Sequence, residues 1–86
     1  MRTIKRGNIV INVNSDFSGT AHITIGGEGQ PRSGDVDGRK LLQGDVGTTG
    51  TLQSSDITRA VSMAVEDYMF QRAIGLVESL GLPRER

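Results

Sequence analysis

Two stretches of strict alternation constrain this chain more than anything else in it. NIVINVN, residues 8–14, places Ile9, Ile11 and Val13 on one side and Asn8, Val10, Asn12 and Asn14 on the other. TAHITI, residues 20–25, sets Ala21, Ile23 and Ile25 against Thr20, His22 and Thr24. Period two with β-branched enrichment marks half-buried strands. The link SDFSG carries Asp16 and Gly19, residues suited to a tight connection, so residues 1–26 are expected to hold an N-terminal hairpin. If Asn14 faces Thr20, then Val13 meets Ala21, Ile11 meets Ile23 and Ile9 meets Ile25. A slip of one residue would divide these six apolar residues between two faces, so the pattern sets the register. Two strands alone are unstable in water, and this face needs a cover.

Residues 55–81 are expected to supply that cover as a helix. Ser55 is a favourable N-cap, and Asp56 puts negative charge at the positive helix end. Gly81 suits the position after the last turn, Leu82 would reach back to Val77, and Pro83 prevents continuation, leaving 82–86 as a charged tail. Around the wheel, Ile57, Ala60, Val61, Ala64, Val65 and Tyr68 share one arc. From residue 69 the pattern inverts. Met69, Phe70, Ala73, Ile74, Leu76, Val77 and Leu80 occupy the arc that was polar. One straight helix on one sheet keeps a single stripe. Either the chain kinks near 68–71 or at Gly75, or the helix stays straight and its second half docks on another copy. Self-association is favoured, because a chain of 86 residues is short of core and has no cysteine to staple it. The expected interface is Met69, Phe70, Ala73, Ile74, Val77 and Leu80. Asp67, at the margin of the first arc, calls for a cation, and Arg59 or Arg72 is the expected partner.

Residues 27–54 hold most of the glycines and divide between two readings, a Gly-rich loop or a second short hairpin. Asp37-Gly38 is a favoured two-residue hairpin turn, which would put Val36 and Arg39 beside it and add Leu41 and Leu42 to the sheet. A structureless loop of this length is uncommon in a compact domain, which favours the hairpin.

Several function classes are excluded or disfavoured. No string matches the phosphate loop GxxxxGK[ST], and no helix follows the glycines of GGEGQPRSG closely enough for a dinucleotide fingerprint. Asp35, Asp37 and Gly38 fall short of a calcium loop, whose first and twelfth positions would be Ser33 and Gly44. A lone imidazole, His22, rules out a metal site needing two, and nothing near it completes a catalytic arrangement. Three aromatics, Phe17, Tyr68 and Phe70, are too few for a base-stacking platform. No apolar run approaches a membrane span, and MRTIKRGNIVINV lacks the apolar core of a signal peptide.

The expectation is an α+β fold, an antiparallel β-hairpin extended by a second short one and packed by a long or kinked C-terminal helix. It is expected to be a soluble, cytoplasmic homo-oligomer without cofactor or metal. The expected role is non-enzymatic: binding a protein partner, or sequestering a small anionic, nucleotide-like ligand at a subunit boundary in the manner of a phage-type inhibitor or signal sponge. Arg32, Arg59, Arg72 and His22 are the candidate ligand-binding side chains, arginine being suited to fork onto phosphate. The alternative is a nucleic-acid-binding accessory protein using the basic N-terminal arm Arg2, Lys5 and Arg6. Charge balance, ten basic against ten acidic residues, weakens that alternative.

Overall fold

The computed structural model describes residues 1–27 and 29–79. The elements run β1 (Arg2–Arg6), β2 (Ile9–Val13), β3 (Thr20–Ile25), β4 (Arg32–Asp37), α1 (Gly38–Gln43) and α2 (Ser54–Ser79). The four strands form one antiparallel sheet in the order β1-β2-β3-β4. With the helix laid on one face, the fold is α+β. None of the described helices is long and apolar enough to cross a membrane.

The β2–β3 register pairs Ile9 with Ile25 and Ile11 with Ile23, as the alternation requires. All six apolar residues of that pair are buried, and the helix covers them. Strand β1 was not anticipated. Residues 2–6 are a strand rather than a free arm, joined to β2 by Gly7-Asn8, with Gly7 at φ 59°. Positive φ at the first central residue alone is the type II′ hairpin turn, which suits glycine there.

The sheet is extended by β4 beside β3, but the hairpin turn expected at Asp37-Gly38 is corrected. Asp37 has φ −70° and ψ 124°, and its carboxylate accepts from the amides of Arg39 and Lys40. Asp37 therefore caps α1 instead of turning a hairpin. A two-residue hairpin turn needs φ > 0, which Asp37 does not adopt. Val36 still joins the sheet opposite Ala21. Leu41 is fully buried from α1, and Leu42 packs partly against the same core. Glycine at 38 answers a close approach: a Cβ there would lie 2.5 Å from the Phe17 carbonyl oxygen.

Phe17, read from sequence as part of a connection, is a core residue. It is 1% exposed at φ 60° and meets Tyr68 edge-on, with ring centroids 5.9 Å apart. The left-handed backbone is held by the Phe17 amide donating to the Asn14 carbonyl and by the Ser18 amide donating to Asp16.

Helix α2 is one uninterrupted element of 26 residues, with no break near 68–71 or at Gly75. It starts before Ser55. Gln53 occupies the capping position, its carbonyl accepting from the Ile57 amide and its amide donating to the Asp56 carboxylate. That is the reach-back half of a capping box. Ile57, Ala60, Met63 and Ala64 are buried, with Val61 and Tyr68 partly so, and Met63 rather than Val65 completes the seam. The helix-ending signals at Gly81, Leu82 and Pro83, and the interface residue Leu80, lie outside the described residues.

A paired substitution tests the packing. Gly38→Ala, favourable by helix propensity, should destabilise by about 2 kcal/mol because the added methyl meets backbone. Gly75→Ala, with nothing within 4 Å, should stabilise by about 1 kcal/mol. Urea unfolding of both variants measures the opposite signs.

Candidate functional site

Three arginines set the geometry of the candidate site. On the helix-facing side of the sheet, the register places Arg2, Ile4 and Arg6 of β1 beside Val13, Ile11 and Ile9 of β2. Arg32 of β4 faces the same way, opposite Ile25. Arg32 grips Asp56 in a bidentate pair, Nε at 2.6 Å and Nη2 at 2.9 Å. Arg2 does the same to Asp67, at 2.9 and 2.6 Å. Arg6 meets Glu66 at 2.5 Å on the surface. Two-point arginine forks fix orientation as well as charge. Asp67 thus finds Arg2, and the expected Arg59 or Arg72 pairing is corrected. Both candidates lie on α2 itself, whereas β1 passes directly over Asp67.

These contacts fix the helix diagonally, from β4 at Asp56 to β1 at Asp67. Eleven residues of helix span roughly 16 Å, close to the roughly 14 Å across four strands. The remaining turns, to Ser79, add roughly 18 Å of helix beyond that anchor. On those turns Met69, Phe70 and Leu76 are 60% or more exposed, Ala73 and Val77 are exposed, and Ile74 is partly buried. Phe70 also lines a groove of about 400 Å³ under β1, with Ile4 and Met63 on its floor and Glu66, Asp67 and Arg6 at its margin.

The four side chains expected at one ligand site stand apart. Arg32 is committed to Asp56. Arg59 lines a separate notch with Arg6 and Ile9, and its charge adds to the field on Asp56. Arg72 lies over the Tyr68 ring, 5.9 Å from its centroid, a cation–π contact. His22 is on the opposite, solvated face of the sheet, its Nδ1 2.5 Å from the Asp35 carboxylate. That face is polar, with Thr3, Asn12, His22 and Asp35 forming one cross-strand row. A further cleft of about 320 Å³ lies beside the start of α2, lined by Val46, Thr48, Ser54, Ile57 and Thr58 with no cationic side chain. Of the basic N-terminal residues, Arg2 and Arg6 are engaged by helix carboxylates.

No family model, curated protein or solved structure matches the chain.

The Arg32 fork, opposed by burial and aided by the Gln53 amide, holds the Asp56 carboxyl below the usual carboxylate range. A depressed folded value means that the unfolded chain takes up its proton first as pH falls. This contribution is complete above about pH 4 and is lost as pH drops through the folded value. Asp56→Asn should lower the melting temperature at pH 7 and flatten its acid decline, as measured by thermal melts from pH 7 to 2.

Proposed function

We propose that the protein is a non-enzymatic, homo-oligomeric binding protein whose subunits join through the second half of α2. The observation that carries this reading is the exposed apolar surface of that half. Met69 and Leu76 stand open to water there, and Phe70, beside Ile4 at the groove, leaves 60% of its surface exposed. Contiguous exposed apolar surface marks an interaction site. The small-residue position Ala73, between Phe70 and Val77, lets a second helix approach closely. The spacing 70, 73, 77 is the a/d spacing of a helix–helix seam.

The geometry favours a protein surface as the ligand over a small anion. Arg32, the most deeply placed of the expected phosphate-binding arginines, is held by Asp56, and the cleft beside α2 offers hydroxyls without a cation. In this reading the subunit boundary is where a partner is gripped.

Sedimentation equilibrium tests the reading. The wild-type chain should run at a multiple of its 9.2 kDa at micromolar concentration. Phe70→Glu should reduce it to the monomer while leaving the melting temperature of the protomer nearly unchanged. A monomeric wild type, or a Phe70→Glu variant at wild-type mass, would overturn the reading.

A further inference from the structure

The two edges of the sheet are treated differently, and the difference points to how copies meet. In a two-residue hairpin the residues flanking the turn form a hydrogen-bonded pair, and the pattern alternates along the ladder. Arg6 and Ile9 flank the Gly7-Asn8 turn, so Arg6, Ile4 and Arg2 direct their amides and carbonyls toward β2. Thr3 and Lys5 then direct theirs outward. The same alternation, carried across the sheet, makes Ser33 and Asp35 the outward residues of β4. Ser33 is closed off at both groups and Asp35 at its carbonyl: the Ser33 amide donates to Thr51 Oγ1, its carbonyl accepts from the Thr51 amide at 2.9 Å, and the Asp35 carbonyl accepts from Thr49 Oγ1. The parity derived from the turn is therefore met at the far edge. At β1 no such closure occurs among the described residues.

We infer that the β1 edge pairs with β1 of a second copy, antiparallel about Ile4, to make one continuous eight-stranded sheet. This rests on the reading of the protein as a homo-oligomer and specifies its contact. The register follows from chemistry. Outward residues must face outward residues, which allows Thr3 opposite the partner's Thr3, Thr3 opposite the partner's Lys5, or Lys5 opposite the partner's Lys5. Pairing about Thr3 sets Ile4 beside the partner's Arg2 instead of an apolar side chain, which leaves the other two. Lys5 opposite the partner's Lys5 sets like charges directly opposite, which is unfavourable. Thr3 opposite the partner's Lys5 makes two symmetry-related pairs and on the order of four inter-strand bonds. It also sets Ile4 against the partner's Ile4 in the close, non-hydrogen-bonded position, on the helix side of the sheet. That is the side of the groove lined in part by Ile4, Met63 and Phe70, so the added strand brings an isoleucine beside these three apolar side chains. Arg2 comes opposite the partner's Arg6, and each is already neutralised, by Asp67 and Glu66. Lysine on an edge commonly discourages pairing. Here Lys5 points to the solvated face, where its ammonium stays in water.

Amide exchange and two substitutions test the contact. In the wild-type oligomer the Thr3 and Lys5 amides should exchange at least about tenfold more slowly than the amide of the exposed loop residue Gly47. Lys5→Pro removes an outward donor while the protomer keeps its own ladder, so it should yield a folded monomer. Lys5→Ala, which retains the amide, should keep the wild-type mass. An oligomer in which Thr3 and Lys5 exchange as fast as Gly47, or a Lys5→Pro chain at wild-type mass, overturns this contact and leaves the α2 reading standing. A wild type that sediments as a monomer overturns both.

Discussion

Carboxylates on one long helix, held by arginines from both edges of a sheet, organise this protein. Asp56 is almost fully buried, and an isolated carboxylate there would be costly. Arg32 and the Gln53 amide satisfy it, so the start of α2 is tied to β4. Asp67 repeats the arrangement with Arg2 at the other edge. With both ends of the covering segment anchored, its direction is no longer free. Ile57, Ala60, Met63 and Ala64 fall on the sheet, and most of the described helix after Tyr68 is left uncovered. The apolar arc changes sides where that cover ends.

Much of this was legible in the residues, and the limits are physical. The β2–β3 register could be read because six apolar residues must share a face. The change of arc at 68 marked where most of the helix loses its cover. Strand β1 was hidden because only Ile4 of RTIKR is apolar, and a single apolar residue has no period. The available signal was Gly7-Asn8 between two alternating runs, together with the acids Glu66 and Asp67 in need of cations. Asp37-Gly38 misled because the same dipeptide serves a hairpin turn or a helix cap. The backbone at Asp37 decides between them, and it depends on the passage of Phe17 overhead.

The ligand-binding arginines illustrate a second limit. Sequence counts Arg32, Arg59 and Arg72 as available cations, since nothing in the chain order reveals their partners. In the fold, Arg32 is structural and Arg72 leans on Tyr68. Positive charge counted from the sequence is therefore partly spent inside the fold, by Arg2, Arg6 and Arg32 on helix carboxylates.

The closure of β4 by Thr49 and Thr51 has a consequence for growth. A sheet open at both edges can add strands without end, which is the route to fibres. This one offers a single free edge among the described residues. With that edge occupied by a second copy, as proposed, both sides of the joined sheet present the β4 edge covered by Thr49 and Thr51, which opposes accretion beyond two chains.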